Sequence, residues 1–208
     1  MLTQLPRLYA ITDARLMPGA TLFSKVEAAL KGGCGWVQYR DKTNDSRRRL
    51  QDANKLRELC EHYQAKLIVN DDPQLALASR AHGVHLGQGD TPLAEARRLL
   101  GTSAIIGSTC HASVDLAIAG HAQGADYLAF GRFFASTTKP GASPASLTLI
   151  SQIKHQLAVP VVVIGGITLQ NAPQLLQAGA DCLAVCEGLF SAENVESQAT
   201  AFRQLFLD

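Results

Sequence analysis

The sequence predicts a (β/α)8 TIM barrel, built as a single domain over residues 1–208. Three observations point to it. Eight short apolar runs alternate with eight amphipathic stretches along the chain. The runs are rich in Val, Ile and Leu, as parallel strands covered on both faces should be. Polar residues gather just past the C-terminal ends of those runs, where barrel enzymes build their sites. A doubly wound open sheet uses the same alternation. No G-x-G-x-x-G opens the first helix, however, and no G-x-x-x-x-G-K-[ST] occurs, so dinucleotide and P-loop folds lose their support.

The elements follow in order. The strand candidates are residues 8–12, 36–40, 66–70, 83–87, 104–109, 127–131, 159–165 and 182–186. Helical patterns fall over 21–32, 46–64, 73–81, 92–100, 113–122, 145–157, 170–178 and 193–206. Asp72-Pro73, Thr91-Pro92 and Thr168 read as helix starts, with a capping side chain ahead of the first turn. Gly32, Gly33, Gly83, Gly101, Gly124 and Gly179 stand between a helix and the next strand and are expected as helix C-caps. Gln123-Gly124-Ala125-Asp126 nearly repeats in Gln177-Ala178-Gly179-Ala180-Asp181. No linker or charge run divides the chain.

Composition excludes several function classes. Lys plus Arg is 19 against 18 for Asp plus Glu, so no global basic excess points to nucleic acid or an anionic membrane. Apolar runs such as 159–164 fall far short of the ~20 residues that cross a bilayer, and the N-terminus lacks a signal-peptide pattern. A cytoplasmic protein is expected. The five cysteines, at 34, 60, 110, 182 and 186, form no Cys-x-x-Cys pair, and the six histidines lack zinc-finger spacing. Buried, reduced thiols are the expectation for Cys182 and Cys186.

The chemistry-bearing residues sit at the strand ends. Gln38, Arg40 and Lys42 are two apart, so a strand starting at Trp36 turns all three toward the barrel mouth. Two cations and an amide there suit a phosphate or diphosphate; the competing expectation is that Arg40 or Lys42 pairs with Asp41 or another barrel carboxylate. Asp71 and Asp90 follow neighbouring strands and would suit a hard cation such as Mg²⁺, although Asp72, and with it Asp71, is well placed to cap the next helix. Ser136-Thr137-Thr138-Lys139 is a hydroxyl- and Lys-bearing loop that suits an anion, or is simply polar. Gly165-Gly166 admits a close backbone approach to a phosphate, or a tight turn without one. His85 and His111 read as core histidines, and no Ser/His/Asp spacing marks a nucleophile.

The motifs LYAITD, QYRDK, LIVNDDPQLA, GVHLGQGD, IIGSTCH, GADYLAFGRFFASTTKP, PVVVIGGIT and GADCLAVCEGLF, taken in order, resemble the thiamine phosphate synthase family along nearly the whole chain. The resemblance implies a (β/α)8 barrel and a transferase. Its substrates would be 4-amino-2-methyl-5-hydroxymethylpyrimidine diphosphate and a thiazole phosphate or its carboxylate; its products would be thiamine phosphate and diphosphate. It implies pyrimidine-diphosphate contacts at Gln38, Arg40, Lys42 and Asn70, Mg²⁺ ligands at Asp71 and Asp90, and a hydroxyl contact at Thr109, where the family usually has Ser. Lys139 would reach the diphosphate; Ser136, Thr138 and the Gly166 backbone would hold the thiazole phosphate. Cys186-Glu187 stands where many members have Ile-Ser, so only a backbone role is carried there, a carboxylate being repelled by phosphate. The catalytic set so implied is Lys139, Arg40 and Lys42. The partners implied are two small molecules, with homo-oligomerisation left open. A thiazole tautomerase, a sugar-phosphate epimerase and a non-catalytic thiamine-phosphate binder are the rivals, and the joint presence of Asp71, Asp90, Lys42 and Lys139 disfavours the first.

Overall fold

The computed structural model describes residues 5–135 and 145–206. Eight parallel strands close into a barrel in chain order. They are β1 (Leu8–Ile11), β2 (Trp36–Tyr39), β3 (Lys66–Asn70), β4 (Gly83–Leu86), β5 (Ile105–His111), β6 (Tyr127–Phe130), β7 (Val161–Ile164) and β8 (Cys182–Val185), with β8 pairing back onto β1. The outer ring comprises α1 (Thr21–Lys31), α2 (Ser46–His62), α3 (Pro73–Ala78), α4 (Leu93–Leu100), α5 (Val114–Ala122), α6 (Thr148–Gln156), α7 (Ala172–Gln177), α8 (Glu187–Phe190) and α9 (Val195–Gln204). Every strand expected from the sequence is present, shifted by at most two residues at either end.

The differences have local causes. β5 runs two residues past Thr109, because a register shift between Thr109 and His111 lets the strand continue against Phe130. Thr168 does not cap α7. Asn171 precedes that helix instead, its Oδ1 accepting from the Thr168 amide at 2.8 Å and its Nδ2 donating to the Gly166 carbonyl at 2.9 Å. At α4 it is Pro92 rather than Thr91 that stands at the cap position. The short helix α8 directly after β8 has no counterpart in the hydrophobic pattern, since four residues are too few to show a period. Asp72 does cap α3, accepting from the Leu75 amide at 2.9 Å.

The inward side chains divide the core in two. Residues such as Leu8, Val37, Leu67, Val84, Ile106, Leu128, Val163 and Leu183 face the helices. Tyr9, Trp36, Ile68, Ile105, Tyr127, Val162 and Cys182 fill the barrel itself. The near-repeat in the sequence is a structural device at the closed end. Asp126 Oδ2 accepts from the Ile106 amide at 2.8 Å and from Arg97 at 2.6 Å. Asp181 does the same with the Val161 amide at 2.7 Å and Lys154 at 2.8 Å. Each carboxylate thus ties a strand start to an outer helix.

Gly101, Gly124 and Gly179 take left-handed backbone at or just after helix ends, as C-caps do. Gly83 is different: it is the first residue of β4, paired with Ile105, and a Cβ there would lie 2.0 Å from the Ile105 carbonyl oxygen. Its role is close strand approach rather than capping. Gly83→Ala should therefore lower the free energy of unfolding by about 2–3 kcal/mol through overpacking, read from urea denaturation. A change within about 0.5 kcal/mol would mean that the barrel yields at this point.

Candidate active site

The C-terminal ends of the strands surround a cavity of about 440 Å³. Its lining includes Gln38, Arg40, Lys42, Asn70, Asp71, Asp90, Thr109, Gly166, Cys186 and Glu187, so these sequence-derived candidates share one pocket. Ser136, Thr138 and Lys139 lie outside the described residues.

The chain beyond β2 is ordered by alternation. Tyr39 and Asp41 turn outward; Asp41 accepts from Arg48 at 2.7 Å and from the Tyr39 hydroxyl at 3.3 Å. Gln38, Arg40 and Lys42 turn inward. Arg40 then finds Asp13, Nη1 to Oδ2 at 3.8 Å, and Lys42 donates to Asp71. Both cations therefore pair with barrel carboxylates, yet both still line the cavity.

Asp13 lies two residues past β1 and, although it closes the motif LYAITD, was not among the candidate site residues. It is 3% exposed and accepts from the Arg15 amide at 2.9 Å, from Arg15 Nε at 3.0 Å and from Arg15 Nη2 at 2.8 Å. These bonds, together with the charge of Arg40, hold its carboxyl below the usual range despite burial. A buried carboxylate at a strand end, followed two residues later by Arg, was the signal that could have marked it.

Asp71 takes left-handed backbone, φ +64°, while its amide donates to the His85 carbonyl at 2.8 Å. That turn separates it from Asp72, which is spent on α3 and on Arg49 at 2.9 Å. Asp90 Oδ2 accepts from the Gly87 amide at 2.7 Å. The two carboxylates are near enough for the charge on Asp71 to act on Asp90. Burial favours the protonated form of both; the hydrogen bond and charge of the Lys42 ammonium overcome it at Asp71 and hold that group low. At Asp90, burial and the neighbouring Asp71 charge outweigh the Gly87 amide and raise it. Among the described residues no cluster of three or more His, Cys, Asp or Glu is poised for a metal. A cation here would rest on this pair.

Gly165 and Gly166 have positive φ, and Cβ atoms there would fall 2.3 Å from Arg132 Cβ and 2.2 Å from the Ala135 carbonyl oxygen. The glycines let the loops after β6 and β7 nest against each other, which by itself accounts for the pair. Glu187 opens α8 on the rim, and its charge adds to the pull on the Arg15 guanidinium. Cys186 is half-buried and its thiol is pushed up to about 12, mainly by burial; it is no nucleophile. Cys34, Cys60, Cys110 and Cys182 are buried. His85, read as a core histidine, is buried but reaches Thr109 and Tyr127. His111, Tyr9, Asp13 and Arg132 add to the wall beyond the candidate site residues.

The comparisons with known proteins agree with this architecture. The family model described as thiamine monophosphate synthase matches residues 8–189. A thiamine-phosphate synthase of Saccharophagus degradans is 55% identical over 192 residues, 92% of this chain and 88% of that protein. A solved thiamine phosphate pyrophosphorylase from Pyrococcus furiosus superposes with a TM-score of 0.87 at 34% identity, over 96% of this chain and 94% of its own. KGPDC from Streptococcus mutans, at 14% identity and TM-score 0.72 over 98% of both chains, shares the fold. No helix among the described residues is long and apolar enough to cross a membrane.

Asp13 yields a pH-dependent expectation. Its folded pKa lies below the ordinary value of 3.8, so its stabilising contribution is present above that value and is lost as pH falls through the folded pKa. Asp13→Asn should cost about 1–3 kcal/mol at pH 7, a penalty that shrinks once pH falls below the ordinary 3.8 and through the lower folded pKa, measured by urea unfolding across that range. A penalty that is independent of pH would remove the charge from the account.

Proposed function

The chain belongs to the thiamine monophosphate synthase family, and from that premise we propose that its barrel mouth joins 4-amino-2-methyl-5-hydroxymethylpyrimidine diphosphate to a thiazole phosphate. The carbon–oxygen bond to diphosphate breaks, the thiazole nitrogen takes the same carbon, and thiamine phosphate and diphosphate leave. The observation that carries this reading is the Asp71–Asp90 pair beside Lys42, on the rim of a cavity that also exposes Arg40.

That pair fits a divalent cation. Two neighbouring carboxylates resist full ionisation on their own, and Mg²⁺ commonly takes one or two carboxylates together with substrate phosphates. Asp71 and Asp90 would hold it, and the bound ion would neutralise charge on the departing diphosphate. The chain's own residues supply the rest. Arg40 offers a planar fork and Lys42 a point charge to diphosphate oxygens; Lys139 is assigned the same task from the loop after β6. Gln38 and Asn70 hold the pyrimidine. Thr109, Ser136, Thr138 and the backbones of Gly166 and Cys186 hold the thiazole phosphate. No nucleophile is needed, because the electron-rich aminopyrimidine expels diphosphate and the resulting cation is captured by the thiazole held next to it.

With both substrates and Mg²⁺, the purified protein should form thiamine phosphate and diphosphate in step, and a chelator should stop it. Asp71→Ala or Asp90→Ala should lower kcat by about a hundredfold or more. A wild-type rate in the double variant would overturn the cation role. A tautomerised thiazole without coupling would favour the tautomerase reading. Lys139→Ala should lower turnover more than it weakens thiazole-phosphate binding.

Glu187, a carboxylate that phosphate would repel, is assigned no contact with phosphate. Glu187→Ser should leave the thiazole-phosphate KM unchanged or lower it. A several-fold rise would show that the carboxylate orients a cation for that phosphate.

A further inference from the structure

We propose that a buried hydrogen-bond chain running Gln38–Tyr9–Tyr127–His85–Thr109 fixes the polarity of both its ends, so that Gln38 offers the cavity an acceptor while Thr109 offers it a donor. Resting on the proposed function, this deepens it: Tyr9, Tyr127 and His85 become positioning residues that select the amino form of the pyrimidine ring.

The chain crosses the barrel interior through five strands. Gln38 Nε2 donates to Tyr9 Oη at 2.9 Å. Tyr9 and Tyr127 hydroxyls lie 3.1 Å apart. Tyr127 Oη is 2.9 Å from His85 Nδ1, and His85 Nε2 is 2.8 Å from Thr109 Oγ1. Tyr9 is 1% exposed, Tyr127 0%, Gln38 3% and His85 8%. The rings are fixed by packing. Tyr127 stacks on His85 at 5.5 Å and meets Trp36 and Tyr9 edge-on. Gly107 makes room for it, since a Cβ there would fall 2.0 Å from Tyr127 Cζ.

The direction follows from counting hydrogens. Each phenol has one to give, and burial pushes both phenols well above their ordinary range, so neither ionises. With Gln38 Nε2 turned toward Tyr9, the Tyr9 hydrogen goes to Tyr127. The Tyr127 hydrogen then goes to His85 Nδ1, which must accept. The imidazole hydrogen therefore sits on Nε2 and is given to Thr109. If His85 donated from Nδ1 instead, Tyr127 would donate to Tyr9, whose own hydrogen would face the Gln38 amide hydrogens. That arrangement is relieved only if Gln38 turns its amide over, reversing the entire chain at once.

Both ends line the cavity. Gln38, with Nε2 engaged, presents Oε1 to an N–H donor such as an exocyclic amino group. Thr109, accepting from His85, has its hydrogen to give to a ring nitrogen or a phosphate oxygen. A 4-oxo ring in place of the 4-amino ring sets an acceptor against Gln38, and admitting it means reversing five coupled groups.

The test compares dissociation constants of the 4-amino and 4-oxo forms of the pyrimidine diphosphate, by titration calorimetry without the thiazole partner. The wild-type protein should favour the amino form by at least a hundredfold. Tyr127→Phe keeps the ring and cuts the chain, and should shrink that ratio at least tenfold. Tyr9→Phe, which cuts it one link away, should do the same and serves if Tyr127→Phe does not fold. Equal weakening of both forms, with the ratio unchanged, would make the chain merely structural and overturn the inference. Failure of the wild type to make thiamine phosphate would instead overturn the functional reading, a separate result read in a separate assay.

Discussion

Closing eight parallel strands on themselves forces alternate side chains into a narrow interior, and everything in the site rests on how that interior is filled. Here the fill is not uniformly aliphatic. Tyr9, Trp36 and Tyr127 interlock edge-on near the middle, and Gly107 leaves the space that the Tyr127 ring needs. Ile105 and Cys182 are buried in the same interior cluster. Above them the interior turns polar, through Gln38, His85 and Thr109, before opening into the cavity. The aromatic layer thus serves two ends: it packs the barrel, and its hydroxyls pass hydrogen bonds up to the cavity floor.

Charge at the mouth is arranged as opposed pairs rather than as a bare cationic pocket. Arg40 faces Asp13 and Lys42 faces Asp71, while Asp90 leans on Asp71 and the Gly87 amide. Such pairing keeps the mouth folded without ligand, since unpaired half-buried charges are costly. It also leaves an arrangement that an anionic substrate and a cation can exchange into together. In the proposed reaction the cations would turn to phosphate as the carboxylates turned to metal, so charge would stay balanced in both conditions. Asp41, Asp72, Asp126 and Asp181 are spent on helices or strand amides, which separates them from the carboxylates that line the cavity.

Most of the strands were legible because a doubly covered strand is an unbroken apolar run, and eight such runs leave few other folds. Terminal residues were less legible: β5 outran its apolar pattern because a register shift, invisible in composition, let His111 pair. Gly83 resembled a C-cap in sequence, since both roles call for a missing side chain next to a strand. Only the Ile105 carbonyl lying against it separates them. His85 looked like a core histidine and is one by burial; its two ring nitrogens find partners from β6 and β5, 42 and 24 residues away.

Alternation and strand-end chemistry are written locally, so the barrel, the end that gathers its polar residues, and Gln38, Arg40, Lys42, Asn70, Asp71 and Asp90 at the cavity could all be read from the chain alone. Which charge meets which is a different matter. Asp41 is adjacent to both Arg40 and Lys42 yet pairs with neither, because a strand sends neighbours to opposite faces and α2 brings Arg48 to meet it. Asp13, Arg40 and the Tyr9–Tyr127 contact join residues of different strands, set by barrel closure and register. Those partnerships are decided by three-dimensional proximity between segments far apart in the chain, and only the tertiary structure holds that information.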